Sequence, residues 1–137
     1  MKFLIYCRAE VERGLLVRGP YILISISDPD IRRPRIRVGK LCRKILRLRF
    51  HDAVPLPFAM PEGPKLMTRG QASLVWRFVN QHKGQVGTIV VHCEQGMSRS
   101  PAVAAAICRG LGQDDSRFFD EYQPNEFVYA RVLTAAW

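Results

Sequence analysis

The stretch "VHCEQGMSRS", residues 91–100, lies between a β-branched apolar run, "VGTIV" at 86–90, and "PAVAAAICRGLG" at 101–112. A run of this kind reads as a central parallel strand buried on both faces. The alanine-rich segment, with proline in its first turn and Gly110 or Gly112 at its end, reads as a helix able to pack closely on the sheet. Between them, His92 and Cys93 close the strand, and Glu94, Gln95, Gly96, Met97 and Ser98 form a short loop before Arg99 and Ser100. If that loop wraps around an anion, the backbone N–H groups after Cys93 point into one concavity, and the following helix adds the positive end of its dipole. The result is a cup suited to a phosphate.

The same surroundings bear on the cysteine. Loop amides, a helix N-terminus and the Arg99 guanidinium all favour thiolate over thiol, so Cys93 is expected to be an anion and a nucleophile. Arg99 offers two parallel donors to two phosphoryl oxygens, a geometry that lysine lacks. Gly96 permits a backbone conformation that a side chain would obstruct. Ser100 can donate to the sulfur, and His92 reads as a hydrogen-bonding support of the loop.

Outward from this centre, strand-like and helix-like segments alternate, which predicts an α/β domain with a mainly parallel sheet of about four strands flanked by helices. "KFLIYC" and "YILISIS" read as short strands, with a short helix between them ending near Gly14 or Gly19. "KILRLRF" alternates Leu46, Leu48 and Phe50 with Ile45, Arg47 and Arg49, as a strand with one less buried side does. Residues 53–67 carry Pro55, Pro57, Pro61 and Pro64 and must be a loop. Thr68 with Gln71 makes a capping box, and Ala72, Val75, Phe78 and Val79 recur at helical spacing to about His82. "DSRFFDEY" and "NEFVYARVLTAAW" supply two further helices, the second capped by Asn125, which is also within reach of the loop.

At 137 residues the chain is expected to form one domain over 1–137, and a hydrophobic fraction of 47% argues against disorder. The opening "MKFLIYC" is too short for a signal-peptide core, and no window reaches the ~20 apolar residues of a membrane span, so a cytoplasmic protein with no membrane partner is expected. Cys7, Cys42, Cys93 and Cys108 form no CxxC pair or zinc spacing, so neither a disulfide framework nor a metal is indicated and no cofactor is expected. The net charge of +9 favours an anionic partner. Much of it lies between residues 31 and 49, where Arg32, Arg33, Arg35, Arg37, Lys40, Arg43, Lys44, Arg47 and Arg49 occur without an acid. Two readings are open: a solvated basic face, or a track that steers an RNA, a phosphoinositide or an acidic phosphopeptide toward the cup.

"HCEQGMSRS" resembles the signature of the cysteine-dependent protein tyrosine phosphatase superfamily, and Gly96, Ser98 and Ser100 are similar to its compact dual-specificity and bacterial branch. The resemblance implies a phosphatase that hydrolyses phosphate monoesters, its expected substrates being phosphotyrosine or dual-specificity protein sites, through a phosphocysteine without metal. It assigns Cys93 as nucleophile, Glu94 to Arg99 as the phosphate cradle, and an upstream Asp as general acid. Asp52 occupies that slot, because it follows "KILRLRF" as Cys93 follows its own strand, and ligands of open α/β sheets bind beyond the carboxyl ends of the strands. Asp28 and Asp30, after "YILISIS", are the rivals. Glu94 stands where phosphoinositide phosphatases of the superfamily carry basic residues, which counts against an inositide. Three alternatives remain: a phosphatase of RNA 5′ ends or small phosphorylated metabolites, a phosphate-binding module without turnover, and a rhodanese-type sulfurtransferase, which the Ser-Arg-Ser fits poorly.

Overall fold

The computed structural model describes residues 1–58 and 62–136. Four strands form one sheet: β1 (Lys2–Cys7), β2 (Tyr21–Ser27), β3 (Cys42–Arg49) and β4 (Thr88–Cys93), in the order β1-β4-β2-β3 with every neighbour parallel. The helices are α1 (Arg8–Arg13), α2 (Arg69–His82), α3 (Arg99–Gly110), α4 (Ser116–Glu121) and α5 (Glu126–Thr134). The expected parallel α/β architecture is therefore present. Among the described residues no helix is long and apolar enough to cross a membrane.

Period-two alternation divides the sheet between two cores. Ile22, Ile24 and Ile26 of β2 and Ile89 and Val91 of β4 join the larger core with the apolar faces of α2, α3, α4 and α5. Tyr21, Leu23 and Val90 point the other way, onto Val11, Leu15 and Val17, and are packed by Ile36 and Val38 of the β2–β3 connection. The second layer is thin: one short helix and an extended segment. The first is built for close approach, since Ala102, Ala104, Ala105 and Ala106 of α3 are all fully buried. At its end a Cβ on Gly110 would lie 2.3 Å from the Trp76 ring.

Helix α2 starts as the capping box requires: Gln71 N–H donates to Thr68 Oγ1 at 3.0 Å, and Thr68 N–H to Gln71 Oε1 at 2.9 Å. Helix α3 differs from the expected start at Pro101, because it begins two residues earlier and places Arg99 and Ser100 in its first turn. The proline still lies in that turn, where a missing N–H costs no intrahelical bond. Strand β3 likewise begins before Lys44, at Cys42, with a register shift against β2 between Tyr21 and Ile22.

Candidate active site

All four strands end at one edge of the sheet, and there a pocket of about 450 Å³ opens. Asp28, His51, Asp52, Ala53, Pro64 and the loop residues Cys93, Glu94, Gln95, Met97, Ser98 and Arg99 line it. The pocket sits where strand order reverses around β4, the position at which open parallel sheets bind ligands.

The loop 94–98 is held from outside by its carbonyls. Glu94 O accepts the Arg8 N–H at 3.1 Å, Met97 O the Gln123 N–H at 3.0 Å, and Ser98 O the Asn125 N–H at 3.1 Å. Carbonyls tied outward turn the alternate face of the loop inward, and Gly96 N–H donates to Cys93 Sγ at 3.2 Å. Gly96 has φ of 71°, and a Cβ there would lie 3.0 Å from Tyr6 O and 3.2 Å from Cys7 N, so both conformation and space call for glycine. On the other side of the sulfur, Ser100 Oγ lies 3.1 Å away, on the first turn of α3. Cys93 is 3% exposed.

Arg99, almost wholly buried, spends a single nitrogen on the protein: Nη1 donates to Asp28 Oδ1 at 2.6 Å and to the Phe50 carbonyl at 2.7 Å. Its Nε is buried without a partner among the described residues. A buried, unpaired guanidinium N–H beside a pocket is a group waiting for an acceptor. Asp52, beyond the end of β3, accepts through Oδ1 from Ser98 Oγ and from Asn125 Nδ2, each at 2.8 Å. The carboxylate is therefore tied to Ser98, on the loop that follows Cys93, and shares the pocket with that cysteine.

Asn125 joins three parts. Its Oδ1 caps α5 by accepting Val128 N–H at 3.1 Å, its amide holds Asp52 and the Ala53 carbonyl, and its backbone N–H holds Ser98. The two ends of one amide thus both cap the helix and brace the site. Of the rival acids, Asp28 is engaged with Arg99, and Asp30 Oδ2 meets His51 Nε2 at 2.6 Å. His51 Nδ1 accepts the Lys65 N–H at 2.8 Å, so its proton sits on Nε2 and is donated to Asp30. This tie brings the end of the proline-rich loop, through Pro64, to the pocket wall. Pro61, one of the prolines that mark that loop, lies outside the described residues.

His92 lies beneath the loop, fully buried. Its Nε2 is 2.6 Å from Ser25 Oγ and its Nδ1 3.3 Å from the Cys93 carbonyl, which can only accept, so Nδ1 carries the proton and Nε2 accepts from serine. Burial is the main force that lowers its pKa from 6.5 to about 4. The unfolded chain thus takes up a proton near pH 6.5 that the folded chain refuses until near pH 4, and stability falls as pH falls through that window. We expect a loss of about 2 kcal/mol from this residue between pH 7 and pH 5. Urea unfolding at the two pH values should show a smaller difference for His92→Asn, and an identical slope would contradict it.

Among the described residues no group of three His, Cys, Asp or Glu side chains is placed to hold a metal. Cys108 Sγ donates to the Asp114 carbonyl at 3.3 Å, and burial raises its pKa, as it also raises that of Cys42.

No family model matches the sequence, and no curated protein matches it at a significant level. Solved structures do. Human DUSP28 is 16% identical and superposes with a TM-score of 0.60 over 98% of this chain and 90% of its own. The human tyrosine phosphatase-like serine/threonine/tyrosine-interacting protein is 19% identical, with a TM-score of 0.55 over 85% of this chain and 76% of that one. PTPMT1 in complex with PI(5)P is 14% identical, with a TM-score of 0.52 over the same shares, 85% and 76%. With a parallel four-strand sheet and its cysteine loop between β4 and α3, the chain has the fold of the cysteine-dependent protein tyrosine phosphatase superfamily in its compact, dual-specificity form.

Proposed function

We propose that the chain is a phosphatase that hydrolyses phosphate monoesters of phosphotyrosine or dual-specificity protein sites through a phosphocysteine, with residues 1–137 as one catalytic domain. The supporting observation is the convergence of Cys93, Arg99 and Asp52 on one pocket at the carboxyl ends of the strands. The phosphoryl group sits against the N–H groups of Glu94 to Arg99, and the Nε and Nη2 side of Arg99 binds two of its oxygens. Cys93 Sγ attacks phosphorus; the S–P bond forms as the P–O bond to the leaving group breaks, and Asp52 gives that oxygen its proton. Water then attacks the phosphocysteine, the Asp52 carboxylate takes its proton, and the sulfur leaves as thiolate with a hydrogen bond from Ser100. His92, neutral, holds the carbonyl of Cys93 and takes no part in proton transfer.

Glu94, paired with Arg8 at 3.2 Å, places a carboxylate in the wall and disfavours a polyphosphorylated inositol ring. The direct test is rapid quenching with p-nitrophenyl phosphate. One nitrophenol per chain should be released in a burst, and mass spectrometry should find a phosphoryl group on the peptide bearing Cys93. Turnover without a burst, or label on another residue, would overturn the mechanism.

A further inference from the structure

Residues 28–33 follow β2 as an arch that starts at the pocket wall, which Asp28 lines, and runs outward from it. Asp28 ends on Arg99, Asp30 on His51, and the Arg32 carbonyl accepts from Arg8 Nη2 at 2.7 Å. From beneath, Arg49 Nη2 donates to the carbonyls of Asp28 at 3.4 Å, Pro29 at 3.2 Å and Ile31. Arg8 reaches on to Glu94 of the pocket wall at 3.2 Å, so two hydrogen bonds separate the arch from the phosphate cup.

These contacts fix the backbone and leave the Arg32 and Arg33 side chains without a close ion pair among the described residues, the charge of Arg32 being felt at Glu12. Arg32 and Arg33 are exposed, and among the described residues the ion pairs draw their cationic partners from Arg8, His51, Arg99 and Arg117 instead. Between Asp30 and Arg32, Ile31 is 39% exposed. Beyond the arch the chain runs down the thin face of the sheet, with Ile36 and Val38 turned toward the core and Arg35 and Arg37 exposed. Glu12, the acid nearest this run, already receives the Arg35 N–H at 2.9 Å and pairs with Arg8 at 3.5 Å.

A solvated basic face has no need of a fixed backbone at the mouth of a pocket; a recognition site gains from one, because little freedom is lost on binding. We propose that this arch is the subsite that selects acidic residues flanking the phosphorylated residue, making acidic phosphopeptide segments the preferred substrate class. The inference rests on the phosphatase reading above and concerns its specificity. In an extended peptide, residues two to four positions from the phosphorylated one lie about 7–13 Å away, within reach of a rim beside the cup. The arch exposes Ile31 and no aromatic ring, whereas single nucleic acid strands are held largely by stacking on such rings.

The test uses the full chain and two phosphotyrosine peptides that differ only in glutamates or glutamines at the flanking positions. At low salt kcat/KM should favour the acidic peptide about fivefold, the preference should shrink in high salt, and Arg32→Ala with Arg33→Ala should bring the ratio close to one. Equal kcat/KM for the two peptides, or an acidic preference that survives the double substitution, would overturn the proposal. So would a 5′-triphosphorylated oligoribonucleotide that outcompetes the acidic peptide. Failure to turn over p-nitrophenyl phosphate would count against the phosphatase reading alone, since fluorescence anisotropy of the same peptides on Cys93→Ser still reads the flank preference.

Discussion

Cys93→Ser is expected to lower turnover of an aryl phosphate by at least about 10⁴-fold while the chain still binds the phosphorylated ligand. A serine hydroxyl is a far weaker nucleophile at neutral pH than a thiolate, and among the described residues the groups hydrogen-bonded to the sulfur, Gly96 N–H and Ser100 Oγ, include no base to take its proton. Gly96 N–H and Ser100 Oγ, at 3.2 and 3.1 Å from the sulfur, are arranged to hold an anion at that point and not to deprotonate an alcohol. The cradle itself is built from backbone tied outward at Glu94, Met97 and Ser98 and should survive the exchange. Steady-state rates together with calorimetric binding of a phosphotyrosine peptide separate the two effects. Residual activity within tenfold of the parent would remove Cys93 from the chemistry.

Asp52→Asn should cost on the order of 10²–10⁴ in rate for an alkyl or phenyl phosphate, and much less for a substrate whose leaving oxygen is already a weak base. Asn keeps an oxygen to accept from Ser98 and Asn125, which hold Asp52 at 2.8 Å each, so the substitution removes the proton and little of the geometry. Asp28→Asn is the informative comparison. Asp28 grips Arg99 at 2.6 Å, and losing that charge alters how the guanidinium meets phosphate for good and poor leaving groups alike. A steep dependence on leaving group in the Asp28 variant, with a flat one for Asp52, would exchange their roles.

The cup and the strand and helix segments were legible in the sequence because each depends on neighbours in the chain. Gly96, Arg99 and Ser100 stand at fixed offsets from Cys93, and a β-branched run before an alanine-rich one dictates strand, loop and helix in order. What brings the far side of the pocket together was less legible. Asp28 on Arg99, Arg8 on Glu94, and Asn125 on Asp52 link residues 71, 86 and 73 positions apart, and no local pattern announces such pairs. The sequence marks Asp28 only as a rival acid, whereas the fold makes it the counter-ion of the buried Arg99. The early start of α3 was hidden by Pro101, which marks a first turn without saying which position in it.

The placement of β4 between β1 and β2 has a kinetic consequence. Lys2 aligns with Thr88 and Cys7 with Cys93, so the strand that presents the nucleophile is flanked on one side by the first residues of the chain. Contacts across so large a sequence separation form late and fold slowly, because the loop between them must close before they repay its entropy. Closure of the β1–β4 pair is therefore expected among the slower steps of folding, and until it forms the strand that presents the sulfur has one open edge.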